Sequence, residues 1–592
     1  MLTTGKRPRQ LHWYHAGPML FGDWGTSRLY VLGICFLHAG HASIWFMGAM
    51  SLLLLAVGWA YSIVCRLYPD GGGVYSSAKH RSQLAAVIGA LLLCADYVVT
   101  ASLSALEAFH YLQVPYAEFW AAGSIVFIGL INLFGPTKSG FLAQGAALLT
   151  VAFSAVVATA AIPSLQQVQI TAPNGHFGNW WLQFTYIILA ISGVEAVANM
   201  TGIMVEPVEK TARKAIWSVL IEIVVLNLIL TLAVQAIPAN VLGGGDPALQ
   251  YENHRDDMLR LLAEYYVGPW FATAAGVVFA ALLLSAVNTA VTGLVSIQYM
   301  MAHDRELPAF VAKLNSYGMP AWALVMATAV PLVTVLIAPD VGQLADLYAI
   351  GVVGAVTVNL GACAISFDLP LRRGERIGLA LLSVLMLSIW FTIAYEKPHA
   401  LMFAGTIVLI GLGTRWITQQ RAVLGRVWKG AEQFWAVVTE VAPVELTVTV
   451  AGAYQPTSRF LTATRGNPKL LKFALENAKE HHAELIVLYI RQVAVAVIGP
   501  ALSEGPASDP DAQACFANVK AMAEAAGVPV RLVYTVTDNI ADAILDFSAT
   551  YGAERVILGA TQRGALWRTM KGDVIQGVAQ HLPERTQLLI CA

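Results

Sequence analysis

Gly22-Asp23-Trp24-Gly25-Thr26-Ser27-Arg28-Leu29-Tyr30 lies near the start of the first long apolar segment, and its reading decides the fold. The stretch holds an acid, two glycines and two hydroxyl residues where a membrane-spanning helix should be plain Leu, Val and Phe. A carboxylate at bilayer depth costs about 2.5–3.5 kcal/mol on insertion scales, so it marks function by default. Each glycine weakens a helix by roughly 1 kcal/mol relative to alanine. An acid beside an easily unwound turn can hold a cation with side-chain and backbone oxygens together. The bland alternative leaves Asp23 at the water interface as a helix cap.

The rest of the chain supports a membrane setting. Its 592 residues are 57% hydrophobic and 12% charged, with a formal net charge of -1. A soluble protein carries about twice that share of charge. Repeated apolar runs of roughly 20 residues define an all-α, multi-pass membrane protein lying in the lipid bilayer. The N-terminus is basic (Lys6, Arg7, Arg9) and shows no cleavable signal peptide. The six cysteines are scattered without metal-ligand spacing and read as packing residues. There is no nucleophile–base pair, metal-ligand cluster or Walker-type loop, so neither an enzyme nor a resident cofactor is expected. No nucleic-acid partner is expected either.

The apolar runs give twelve spans: 20–38, 43–65, 84–111, 119–134, 140–162, 181–203, 215–237, 268–299, 321–338, 343–366, 376–394 and 399–414. Connections on one side carry most of the lysines and arginines, Arg66, Lys79, Arg81, Lys138, Lys210, Arg305 and Arg372 among them. Those on the other side carry only Arg255, Arg260 and Lys397. The positive-inside rule then puts both termini in the cytoplasm of a cell (inner or plasma) membrane. The longest outer loop, 239–266, is acidic and turn-rich.

Polar residues recur on particular helix faces. In the third span Asp96, Thr100 and Ser104 are four apart and stack on one face, a ladder of hard oxygens suited to an alkali cation. The hydroxyls have a plainer use, bonding carbonyls of the preceding turn. In the sixth span Ser192, Glu195 and Asn199 share a face, and Gly193 marks a second breakable turn. Glycine-interrupted helices at corresponding positions of two five-helix halves point to a transport site. Glu195 is the expected proton carrier, because desolvation disfavours the charged form of a buried carboxylate. Tyr348 of the tenth span offers a hydroxyl, or belongs to an aromatic belt. Glu222 of the seventh span reads as an interfacial acid near the inner end.

These pieces carry a family resemblance. The Asp23–Tyr30 stretch resembles the first-helix signature of the KUP potassium importers, Gly-Asp-x-Gly-Thr-Ser-Pro-Leu-Tyr. Gly71-Gly72-Gly73-Val74-Tyr75, Asp96-Tyr97-Val98-Val99-Thr100, Ser192-Gly193-Val194-Glu195-Ala196, Asn288-Thr289, Ala302-His303-Asp304-Arg305-Glu306-Leu307-Pro308 and Leu347-Tyr348-Ala349-Ile350-Gly351-Val352 are similar to the KimA branch. Both sit in the amino acid–polyamine–organocation superfamily. The resemblance implies a LeuT-like five-plus-five inverted repeat and a proton-coupled potassium importer. It places the potassium ligands on Asp23, Tyr30, Asp96, Thr100, Ser104, Ser192 and Tyr348, and the proton on Glu195. An amino-acid or polyamine permease on the same fold is the alternative. Arg28 departs from the pattern, standing where KUP sequences have proline. Its guanidinium either fills the cation site or points away and pairs with an acid.

Beyond the 1–414 transporter unit, residues 415–444 mix basic and aromatic side chains, as an amphipathic linker on the inner membrane face would. Residues 445–592 read as a cytoplasmic, doubly wound α/β domain, with strand-like runs at 445–451, 484–490, 530–536, 555–558 and 587–591. Gly559, Arg563, Gly564, Arg568 and Gly572 follow a strand in a pattern similar to universal stress proteins, whose glycine loop holds nucleotide phosphates against helix N-termini. Gln562 and Asp573 depart from it, the second adding negative charge. The resemblance implies a regulatory nucleotide, cyclic di-AMP or AMP/ATP, and a homodimer formed through this domain. A nucleotide-free dimerisation module is the competing reading.

Overall fold

The computed structural model describes residues 9–591 apart from 10, 70, 72, 80, 135–139, 169, 239–253, 316–318, 430–444, 449–453, 493–508, 538–539, 561–573 and 583–585. Among the described residues, eight helices are long and apolar enough to cross a membrane, or nine when one bent pair counts as a single span. The first of these, Trp13–Leu67, contains both the first and second expected spans. Two shorter apolar helices, Ala117–Asn132 and Ala321–Ile337, coincide with the fourth and ninth. The last helix, Pro398–Lys429, runs on well past 414.

Two spans are interrupted. The first consists of Trp13–Trp24 and Ser27–Ala39, joined by a turn at Gly25 and Thr26. Gly22 stays inside the helix, so the break falls at the second glycine of the quoted stretch. The sixth span is interrupted more sharply. Helix Phe177–Tyr186 gives way to a 3-10 turn, Ile188–Ile191, and then to Ser192 in extended conformation. Gly193 has φ of +92°, and helix Val194–Met200 resumes. The two halves of this span are bent by 50°. The positive φ is why glycine is needed there.

The interrupted helices touch at their breaks. A Cβ on Gly193 would lie 2.5 Å from the Trp24 nitrogen and 2.7 Å from its Cα. The Trp24 indole Nε1 donates to the Ala190 carbonyl at 3.3 Å. The third span, Gln83–Tyr111, is buried along most of its length and packs against the eighth, Pro269–His303, and the tenth, Val341–Ile365. Gly351 of the tenth span lets that helix reach the Asp96 backbone, where a Cβ would meet the Asp96 nitrogen at 2.8 Å. Close helix approach at small residues is how membrane helices pack without a hydrophobic drive between them.

The C-terminal part is a six-stranded sheet in the order β1-β4-β3-β2-β5-β6, with β1 Glu445–Val448, β2 Ser458–Ala463, β3 Ala483–Gln492, β4 Val530–Thr537, β5 Arg555–Gly559 and β6 Gln587–Cys591. β1 is antiparallel to β4 and the other pairings are parallel. Alternate strand residues feed two cores. Phe460, Leu485 and Leu532 face helices Pro468–Glu480 and Pro510–Ala526. Leu461, Ile486 and Val556 face Ile540–Thr550 and Val574–His581. Helices on both faces account for the near-continuous apolar runs of these strands. The central strand β2 was not foreseen from the sequence.

Gly193→Ala combines a forbidden φ with a clash against Trp24, and should destabilise the protein by more than about 1 kcal/mol. The check is a clear fall in the melting temperature of the detergent-purified protein. An unchanged melting temperature would contradict the described contact.

Candidate functional site

The two breaks and the third span bring the sequence-predicted carboxylates into one buried region. Asp23 is 4% exposed, Asp96 0% and Glu195 2%. Asp96 lies within electrostatic reach of Glu195 and Asp23, and Glu195 within reach of Asp23. None of the three is fully hydrogen-bonded. Among the described residues Asp23 Oδ2, both Asp96 carboxylate oxygens and Glu195 Oε2 have no partner. The other Glu195 oxygen accepts from the Gly193 backbone N–H at 3.3 Å, inside the sixth-span break. Buried polar atoms are nearly always paired, and an unpaired one needs a reason. Several at one place make a ligand the natural reason.

Neutral oxygens surround them. Tyr30 and Tyr348 are buried, and both lie within electrostatic reach of each other and of Asp23 and Asp96. Thr100 Oγ1 donates to the Asp96 carbonyl at 2.9 Å. That is the plainer use of the hydroxyl, and it leaves the oxygen lone pairs free to accept. Ser104 is buried on the third span, and Ser192 is buried at the extended residue of the break. Among the described residues no three His, Cys, Asp or Glu side chains are grouped to hold a metal ion by themselves. Coordination at this place therefore has to draw on hydroxyls and backbone carbonyls besides the acids.

Arg28 does not sit free among these acids. Its Nη2 donates to Glu222 Oε2 at 2.6 Å, and the guanidinium lies over the Phe21 ring, 5.3 Å from its centroid. Glu222 is in the middle of helix Val208–Gln235 and 20% exposed, which corrects its reading as an interfacial acid near the inner end. Arg28 is fully buried, and its Nε and Nη1 have no partner.

Sequence reasoning placed Asn199 on the Ser192–Glu195 face but missed its partner, and passed over Glu107. Asn199 Nδ2 donates to the Tyr97 hydroxyl at 3.0 Å, tying the sixth span to the third at the residue next to Asp96. Glu107, 0% exposed with both carboxylate oxygens unpartnered, prolongs the Asp96–Thr100–Ser104 face by a further turn. The spacing was visible, but nothing in the sequence told that a residue so near the helix end would be buried.

Of the nucleotide-loop residues, Gly559 ends β5 and is described; Arg563, Gly564, Arg568 and Gly572 lie outside the described residues. The parallel strands run in the order β4-β3-β2-β5-β6, so strand order reverses between β2 and β5. Doubly wound sheets bind ligands beyond the strand ends at such a point.

Helices broken at corresponding places around a buried polar centre define a membrane carrier of the five-plus-five inverted-repeat class. Residues 16–414 match the Amino acid permease family model, and the chain belongs to that family. Families of this class move solutes and are not enzymes. Residues 462–584 match the Universal stress protein family. The potassium transporter KimA of Bacillus subtilis (strain 168) is 24% identical over 397 residues, which is 61% of this chain and 62% of the relative. The match thus spans less than two thirds of that relative's length. Among solved structures, a universal stress protein in complex with cAMP is similar at 20% identity, over 23% of this chain and 96% of its own, with a TM-score of 0.18.

Arg28→Met should destabilise the protein by about 3 kcal/mol, since it leaves Glu222 as an uncompensated buried charge. Adding Glu222→Leu should recover most of the loss. Thermal unfolding of the three proteins checks this, and a double variant no more stable than the single one would contradict the pairing.

Proposed function

We propose that the protein is a proton-coupled potassium importer. It would act in the cell membrane with both termini in the cytoplasm, its transporter unit at 1–414 joined by 415–444 to a regulatory domain at 445–592. The observation that carries the reading is the set of unpartnered oxygens on Asp23 and Asp96, flanked by the Tyr30 and Tyr348 hydroxyls. Removing a monovalent cation from water costs tens of kcal/mol, so a dry site must supply charge as well as oxygens. Asp23 and Asp96 supply the charge. Tyr30, Thr100, Ser104, Ser192, Tyr348 and carbonyls freed at the two breaks complete the shell. The similarity to a potassium transporter over 61% of this chain supports the choice of ion.

Glu195 is the proton carrier in this reading. Its backbone partner, Gly193 N–H, belongs to the break itself, so a change at the break alters how the carboxylate is held. A proton taken from outside neutralises one of three neighbouring acids and lets the loaded helices move relative to the third span. The amino-acid alternative needs bare N–H groups for a substrate carboxylate. Asp23 would repel that group, and the Arg28 charge is already matched by Glu222.

The regulatory domain would bind a nucleotide, cyclic di-AMP or AMP/ATP, beyond β2 and β5, and pair with a second copy through β6. That strand ends the sheet and leaves Ile590 53% exposed. A strand edge of this kind is open to pairing.

Asp96→Asn should abolish rubidium uptake into proteoliposomes while the melting temperature holds, because the variant keeps the side-chain shape. Uptake at the wild-type rate would overturn the reading.

A further inference from the structure

Glu107 is the buried acid that the proposed mechanism leaves idle. It lies on the same face of the third span as Asp96, Thr100 and Ser104, toward the end of helix Gln83–Tyr111. The side chain is 0% exposed, and among the described residues neither carboxylate oxygen has a hydrogen-bond partner. A buried carboxylate without donors is costly, and a structure keeps one where something else neutralises it.

The groups around it are committed elsewhere. Its electrostatic neighbours are Asp256, Arg255 and Asp257, from the connection that packs over this end of the helix. Arg255 Nε donates to Asp256 Oδ1 at 2.6 Å, and Arg255 Nη2 to Asp340 Oδ2 at 2.9 Å. His110 Nδ1 stands 3.5 Å from Asp256 Oδ2, and His254 Nδ1 is 3.0 Å from Asp257 Oδ1. Among the described residues Arg255, His110 and His254 are thus matched to other acids, Arg260 Nη1 donates to the Tyr111 carbonyl at 3.3 Å, and none of them bonds Glu107. On its inner side, Glu107 is within electrostatic reach of Tyr30, which also feels Asp23 and Asp96. Tyr30 is thus within electrostatic reach of two stations of unpaired carboxylate.

We propose that Glu107 anchors a second, outer binding site for the transported monovalent cation, between the 254–257 connection and the Asp23–Asp96 site. This deepens the potassium reading and rests on it. A cation leaving water at the acidic connection meets one full charge at Glu107 before it reaches the inner acids. The Tyr30 hydroxyl, within electrostatic reach of both stations, bridges the transfer. The site takes hard, singly charged ions, because its donors are carboxylate and hydroxyl oxygens.

The test is equilibrium binding of radioactive rubidium to the purified full-length chain, together with uptake into proteoliposomes. Wild type should bind rubidium in two components. Glu107→Gln should lose one and keep the other, and the KM for uptake should rise about tenfold at an unchanged maximal rate, the factor that about 1.4 kcal/mol of lost binding gives. Glu107→Asp, which keeps the charge, should retain both components. Asp96→Asn should lose the other component and keep the outer one. A Glu107→Gln protein with wild-type binding and KM would overturn the outer site and leave the inner one standing. A wild-type chain that binds no rubidium would overturn both.

Discussion

The contact of Gly193 with the Asp23–Trp24 backbone is the constraint on which the transport site depends. Two helices that cross a membrane cannot usually bring main chains so close, because side chains stand between them. Here the sixth span lacks a side chain at the point of contact and bends by 50°. The extended Ser192 and the positive-φ Gly193 release backbone groups that a regular helix would consume, and one of them, the Gly193 N–H, holds Glu195. The same contact fixes Asp23 opposite the third span. Gly351 repeats the device on the other flank by letting the tenth span reach the Asp96 backbone. The acids are therefore set by main-chain packing, which explains how they remain together although most of their carboxylate oxygens have no hydrogen-bond partner among the described residues.

Much of this was legible in the sequence, because polar residues in an apolar helix stand out. Asp23, Asp96 and Glu195 were visible as acids at depth, and Gly193 as a weak point. The location of the first break was less so: Gly22 and Gly25 are equal in sequence, and only packing selects the second. Glu222 was misjudged because its depth depends on where the seventh span sits, and because its partner, Arg28, lies far away in sequence. In the α/β part, β2 was missed. Its run, Ser-Arg-Phe-Leu-Thr-Ala, is short and opens on polar residues. Its place in the sheet comes from β3 and β5 on either side rather than from its own pattern.

At the far end from the acidic connection, paired charges join separate helices. Asp304 accepts from Tyr75 and from Lys79, each at 2.6 Å, and Glu306 bonds both Gln83 and Arg415. Arg415 belongs to the last helix, Pro398–Lys429, which leads toward the α/β domain. Arg66 makes a bidentate pair with Glu375 at 3.0 and 2.8 Å. These pairs tie the connection after the eighth span and the helix after the second into one charged layer. The polar centre lies deeper, among helices that are otherwise apolar.

The central claim is that a bare monovalent cation occupies the space between the breaks and the third span. Crystals of the full chain grown with thallium, a potassium surrogate with strong anomalous scattering, test it most directly. The account predicts an anomalous peak coordinated by Asp23 and Asp96 together with the Tyr30 or Tyr348 hydroxyl. A site free of thallium in crystals that carry the ion elsewhere, or one filled by an amino-acid ligand, would contradict it.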